Sequence, residues 1–176
     1  MIKIKEEFKN LIPALTKEEY KQLENNCIAE GIREKILIWN GFIIDGHNRY
    51  EISLKWDLEI QTETKHFQDE EAVKEWMILN QFGRRNLSNY QRSVLALQLE
   101  EVFSNKAKEN LIKGGKVSQE GLQISAKAID TRKELSKVAN VSHDTIAKVK
   151  KIQAQASEEV KAKLSTGEES INSAYQ

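Results

Sequence analysis

Cysteine is almost missing from this sequence, with Cys27 the only one among 176 residues. A lone cysteine makes no internal disulfide, and it excludes a cysteine-based zinc cluster. Long apolar runs are missing as well. No stretch of 18 apolar residues occurs, so no membrane-spanning helix is expected. The opening residues, Met1 to Glu7, lack the apolar core of a secretory signal. Together these absences point to a reducing cytoplasm. Proline is confined to Pro13, so no later helix is broken by one. There is no internal repeat.

Net charge is absent too, but the zero hides an asymmetry. Residues 1–102 carry 14 Lys/Arg against 18 Asp/Glu, a net −4, and residues 103–176 carry 13 against 9, a net +4. The excess concentrates in 104–151, where 11 basic residues face 5 acidic ones. A basic segment joined to an acidic one suits a protein that meets nucleic acid with one part only. What remains is ordinary for a folded chain: 39% hydrophobic residues and 31% charged, enough for one domain of usual size or two small ones.

Local signals then divide the chain. Thr16 to Glu19 is a capping box opening a helix that Gly31 stops near Glu30. Lys35–Trp39 and Phe42–Ile44 read as strands joined by Asn40-Gly41, a strong two-residue hairpin signal. A helix is expected from His47 to Trp56, and a half-buried strand from Leu58 to Phe67. Asp69 caps a helix to about Asn80. Ser88 starts a long helix, Asn89 to about Lys108, with Tyr90, Val94, Leu97, Leu99 and Val102 facing a core. Asn110–Lys127 holds three of the eight glycines and reads as a linker or exposed loop. Helix returns from Ala128 to Ile152, interrupted at Asn140-Val141-Ser142, and two short helices follow around Ser165–Gly167. The sequence stops inside an unfinished helix, which suggests that the chain continues. Trp39, Trp56 and Trp76 sit among apolar neighbours and are expected at the core or its edge.

Two stretches carry chemistry. The first is Phe42 to Tyr50, where three apolar residues run into Asp45-Gly46 and then His47, Asn48 and Arg49 at a helix start. A turn of this kind can offer backbone N–H groups and a guanidinium to phosphate. Arg49 either receives that anion or has a structural role, paired with Asp45 or a helix C-terminus. His47 either contacts phosphate, serves as acid or base, or is an exposed hydrogen-bonding residue. Arg84 and Arg85, before the Ser88 cap, form a second basic stretch suited to an anion or to a solvated loop.

The second stretch runs from Thr131 to Val149. Leu135, Val138 and Ala139 share a helical face, and Asn140 occupies the position that needs a positive φ. Ser142 caps a second helix whose inner face is Ile146 and Val149. This is the spacing of a DNA-reading helix-turn-helix. Ser142, His143, Asp144 and Thr145 then lie where such a motif reaches base edges, with Lys148, Lys150 and Lys151 placed for phosphate. Asp144 fits only if it accepts from a cytosine amino group or faces away. The bland alternative is a plain helical hairpin.

Taken in order, Phe42–Tyr50, then Asn80–Arg92, then the helix-turn-helix and Ser165–Tyr175 resemble the ParB family of partition proteins. The likeness is strongest to the ParB-N-domain proteins of phages, plasmids and integrative elements, and it covers about residues 8–176. It implies an α+β protein: a small ParB/sulfiredoxin-like α/β domain over 1–100, then an all-helical helix-turn-helix domain over 105–176. It implies double-stranded DNA as partner, a homodimer, a possible ParA-type ATPase partner and a place in the cytoplasm on nucleoid or plasmid. Chromosomal members bind CTP with Mg²⁺ and hydrolyse it slowly. Their Gly-Glu-Arg-Arg motif corresponds here to Gly46-His47-Asn48-Arg49, and their Glu-Asn-x-Gln-Arg motif falls at Asn80-Gln81-Phe82-Gly83-Arg84. Asn80 stands where the family has a metal-holding Glu, and a neutral amide holds Mg²⁺ less well than a carboxylate. Nucleotide binding without efficient hydrolysis, or a vestigial site, is therefore expected. The same fold also serves enzymes. Sulfiredoxin has a cysteine where His47 stands. A free-serine kinase has an Asp-Gly-His-x-Arg turn like Asp45–Arg49 and would need a catalytic Glu from near Glu30 or Glu34. An NTPase or kinase is the alternative function.

Overall fold

The computed structural model describes residues 2–83, 87–114 and 135–175. Its contacts divide the chain into two compact units, Met1–Met77 and Ile78–Gln176. The boundary expected between 100 and 105 falls inside one continuous helix of the second unit.

The first unit is built on a three-stranded sheet. β1 (Ile36–Trp39) and β2 (Phe42–Asp45) pair antiparallel. Asn40 at φ 48° and Gly41 at φ 82° both take the left-handed conformation that a tight hairpin needs. The order is β2-β1-β3, with β3 (Thr62–Thr64) parallel to β1. A parallel return needs a crossover, which α3 (His47–Trp56) supplies. The strand expected over Leu58–Phe67 is thus only three residues long. Its ends have other uses: Leu58 N–H bonds to Ser53 O just after Asp57 closes α3 at φ 50°, and the Phe67 ring packs against Trp76 at 5.7 Å. Lys3 extends the β2 edge by a parallel bridge to Phe42.

Strand alternation sends Ile44 and Phe42 to one face of the sheet and Ile43 to the other. On the first face α1 (Glu6–Asn10) gives Phe8 and α4 (Glu70–Phe82) gives Val73 and Met77, all fully buried with Ile44. Leu37, Trp39 and Trp76 pack around them. Burying an aliphatic side chain of this size contributes about 1.5–3 kcal/mol. The opposite side is covered by α3 and by α2 (Lys17–Glu30), with Ile36, Ile43 and Ile52 buried. The Thr16–Glu19 capping box forms as expected, and Gly31 closes α2 at φ 75°. Trp56 departs from its expected core place. It is 47% exposed at the end of α3, and its indole N–H donates to Glu24 of α2 at 2.9 Å.

The second unit contains α5 (Asn89–Gly114), a helical stretch at 135–139, α6 (His143–Gln155), α7 (Glu158–Thr166) and α8 (Ile171–Ala174). Ser88 and Gln91 form a capping box at the start of α5, which runs past Lys108 into residues expected to be loop. The rest of that expected linker, 115–127, lies outside the described residues. Tyr90, Val149, Ile152 and Leu164 make the core, bordered by Val94, Leu97, Ile171 and Ala174. The Tyr90 hydroxyl accepts from Gln153 at 2.6 Å, which satisfies the one polar atom of an otherwise buried ring. No helix among the described residues is long and apolar enough to cross a membrane.

Candidate functional site

In the first unit the polar turn after β2 is built as the sequence suggests. Gly46 sits at φ 92° as the N-cap of α3, and no side chain caps that helix. A Cβ at Gly46 would come within 2.8 Å of the Ile36 side chain and 3.2 Å of the Arg49 guanidinium, so glycine is required by space and by φ. Elsewhere Thr16, Asp69, Ser88, Ser142, Ser157 and Ser170 each accept from a first-turn backbone N–H. The start of α3 instead keeps the positive end of its dipole uncapped by a side chain, as helix termini that receive anions do.

The cation at this turn is already engaged. Arg49 donates to Asp45 at 2.9 Å and also to Glu34, which follows α2. The Arg49 side chain is 12% exposed, Asp45 is 14% and Glu34 is 81%. Of the two roles open to Arg49, the structure contains the pairing with Asp45. The Glu34 contact, made from 15 residues away, was not anticipated for Arg49. Asn48 is half-buried.

His47 differs from the exposed residue expected at a helix start. Only 4% of it is exposed, and neither ring nitrogen has a hydrogen-bond partner. Burial pushes its pKa down from the ordinary value, against the upward pull of Asp45. The imidazole is therefore held neutral, and its unsatisfied nitrogens border the turn. Cys27 is also buried, and burial pushes its thiol up, so it offers no thiolate for sulfiredoxin-like chemistry. Asp45 and Glu34 belong to no described cluster of three metal-ligating residues.

The remaining turn candidates lie elsewhere. Asn80 and Gln81 fall in the part of α4 that belongs to the second unit, Asn80 exposed and Gln81 buried. Arg84 and Arg85 lie outside the described residues.

The second unit holds the helix-turn-helix geometry. Asn140 takes φ 53°, and its N–H closes onto Lys137 O at 3.1 Å. Ser142 caps α6 by accepting from Thr145 N–H at 3.2 Å, and the two hydroxyls lie 2.8 Å apart. Leu135, Ala139 and Val149 are buried as expected, while Ile146 is half-buried. Val138 is not on that inner face: it is 41% exposed. Leu135 and Ala139 stand four residues apart and define the buried stripe, which leaves Val138 at its margin. Arg92 of α5 donates to the Ala139 carbonyl at 3.4 Å, holding the end of the first helical stretch.

The outer face of α6 presents His143 and Asp144 at its N-terminus, with Thr145 half-buried. Lys150 lies 3.4 Å from Glu100 of α5. Lys148 donates to Asn172 and Lys151 to the Tyr175 hydroxyl. These partners, supplied by α5 and the end of the chain, are residues that the sequence reading did not assign to the site. A shallow groove of about 160 Å³ runs beside His143 and Lys150, walled by Leu97, Leu135, Ile146 and Ala147.

No family model and no curated protein matches the sequence. Solved structures do match. One form of the pNOB8-like ParB N-domain aligns over 99% of this chain and 74% of its own, with a TM-score of 0.61 at 16% identity. A second structure of the pNOB8-like ParB N-domain gives a TM-score of 0.58 at 17% identity, covering 99% and 69%. The C-terminally truncated chromosome-partitioning protein ParB of Caulobacter crescentus, complexed to the centromeric parS site, gives 0.44 at 16%, covering 92% and 73%. The chain thus has the ParB/sulfiredoxin-like fold, a small mixed α/β region followed by helices.

Proposed function

We propose that this chain is a DNA-binding protein of the ParB type, acting in partition or in the regulation of a mobile element. One observation carries this: the left-handed Asn140 followed by the Ser142-capped α6, whose outer face offers His143, Asp144 and lysines. In that arrangement Ser142–Thr145 meet base edges, and Lys148, Lys150 and Lys151 meet phosphate. The ParB-N fold supports the same reading. The partner is double-stranded DNA, bound as a homodimer because one helix-turn-helix reads few bases. A ParA-type ATPase is the further partner proposed, with a cytoplasmic place on plasmid or nucleoid.

The α3 turn is proposed as the site of an allosteric nucleotide, CTP with Mg²⁺. Its uncapped dipole and the one N–H of the neutral His47 ring, which has no partner, support an anion there. The chemistry such a ligand brings is a charged triphosphate to be gripped. Asp45 is the nearest hard donor for its metal, and Asn80 adds no charge. A second reading, a small-molecule kinase, is favoured by Glu34, whose carboxylate the fold brings to Arg49 of the turn.

Fluorescence anisotropy on duplex libraries decides the main reading. Binding that weakens steeply with salt is expected, and no binding at low salt ends it. Turnover of CTP, ATP or GTP with a small hydroxyl substrate would favour the kinase.

A further inference from the structure

Two ammonium groups of α6 are held in place by the end of the chain. Lys148 Nζ donates to Asn172 Oδ1 at 2.8 Å, and Lys151 Nζ donates to the Tyr175 hydroxyl oxygen at 2.9 Å. Both also lie over the Tyr175 ring, 5.8 and 5.3 Å from its centroid. Lys148 and Lys151 are three residues apart, so they share one flank of α6. α8 reaches that flank because Ile171 and Ala174 pack against the Val149–Ile152–Leu164 core, after Gly167 turns the chain at φ 80°.

All the acceptors are neutral: an amide oxygen, a hydroxyl oxygen and a π face. They order the lysines without cancelling charge. Most other described lysines in ion pairs meet carboxylates, as Lys5, Lys9, Lys55, Lys74, Lys161 and Lys163 do. Tyr175 has accepted a hydrogen bond from Lys151, and its own O–H is a donor suited to a phosphate oxygen. Tyr175 is 41% exposed, so the side chain is accessible from solvent. Cation–π and hydrogen-bond contacts of this kind reduce the freedom that a lysine must lose on binding.

We infer that Asn172 and Tyr175, with Lys148 and Lys151, form a cradle for a DNA backbone phosphodiester on the flank of α6, beside the bases that His143–Thr145 face. Asn172 and Tyr175 are positioning residues in this cradle, and Tyr175 is a direct donor as well. The inference rests on the DNA-binding reading.

The test uses the full chain and a duplex selected for binding. The double variant Lys148→Met, Lys151→Met should flatten the slope of log affinity against log salt by about one unit, as expected for the loss of one phosphate contact. Tyr175→Leu should lower affinity about three- to tenfold, and Tyr175→Phe, which keeps the ring but loses the hydroxyl, should recover only part of it. Thermal unfolding of each variant separates these effects from loss of fold. An unchanged slope in the lysine double variant overturns the cradle while leaving DNA binding intact. So does tighter binding by Tyr175→Leu, which would make the chain end a mask. Failure of the parent chain to bind any duplex at low salt removes the DNA-binding reading and the cradle with it.

Discussion

The two candidate sites treat positive charge in opposite ways. At the α3 turn, Arg49 is enclosed by the carboxylates of Asp45 and Glu34 and is 12% exposed. On α6, Lys148 and Lys151 rest on neutral acceptors. An internal ion pair cancels its own field at a distance, so a phosphate arriving at Arg49 must compete with carboxylates already there. A lysine held by an amide oxygen or a phenol keeps its full field and is also pre-oriented. On the proposed reading, Lys148 and Lys151 would attract a polyanion directly, whereas an anion at Arg49 would have to displace a carboxylate. That difference suits a constitutive DNA surface joined to a conditional ligand site.

The largest expected effect separates the two kinds of cation directly. Arg49→Ala leaves Asp45, 14% exposed, without its guanidinium. Its cost to stability is expected at about 1–3 kcal/mol. Lys148→Met should change stability by less than about 0.5 kcal/mol, since its partners are neutral and its stem is conserved. DNA affinity should respond in the reverse order, falling for Lys148→Met and holding for Arg49→Ala. Urea unfolding and duplex anisotropy on both variants check this. Equal stability losses would erase the distinction between a structural and a functional cation.

Ser142→Ala is expected to cost about 1 kcal/mol by removing the oxygen that accepts from Thr145 N–H. It should also loosen the first turn of α6 and weaken DNA binding, measured by the same two assays. An unchanged affinity would mean that this end of α6 does not meet the bases.

Features set by neighbouring residues were legible in the sequence. Thr16 and Glu19, Asn40-Gly41, Asn140 and Ser142 each act within three residues, and each does in the structure what its side chain dictates. Features set by partners far along the chain were not. Glu34 reaches Arg49 across 15 residues, Asn172 and Tyr175 reach Lys148 and Lys151 across 24, and Glu100 reaches Lys150 across 50. No local pattern names those partners, because packing of whole helices delivers them. Burial departs from expectation where a residue sits at an element's edge: His47 goes inside, while Trp56 and Val138 stay outside. The fold class followed from the family resemblance that Phe42–Tyr50, Asn80–Arg92 and the helix-turn-helix carry together. The length of β3 did not, since Leu58 N–H bonds back to Ser53 O of α3 and Phe67 packs on the core in place of pairing.

His47 gives the turn a pH dependence. Its folded pKa lies below the ordinary 6.5 because burial penalises the charged ring. Between the folded and unfolded values the unfolded chain binds more protons, so folding stability falls as pH drops below about 6.5. It is fully present above that pH. The slope reaches at most about 1.4 kcal/mol per pH unit. Around the ring stand Asp45, Glu51 and Glu6, which favour its proton, and Lys9, which opposes it. His47→Asn should flatten the stability profile from pH 7 to 5 in denaturant titrations. A profile as steep as that of the parent chain would place the titrating group elsewhere.

The smallest expected change in stability belongs to Glu34, yet it bears most directly on the contrast between the sites. Its carboxylate is 81% exposed, so the ion pair with Arg49 is worth no more than about 1 kcal/mol, and Glu34→Gln should barely alter unfolding. Its effect on ligand binding should be larger in proportion. With Glu34 neutral, Arg49 retains only the Asp45 partner and gains net positive field toward the α3 N-terminus. A nucleoside triphosphate with Mg²⁺ should then bind several-fold tighter to Glu34→Gln than to the parent chain, and not at all to Arg49→Ala. Calorimetric titration with CTP, ATP and GTP measures all three. Equal affinity of Glu34→Gln and the parent would show that Glu34 does not compete at the turn, and the two classes of cation would then differ only in burial.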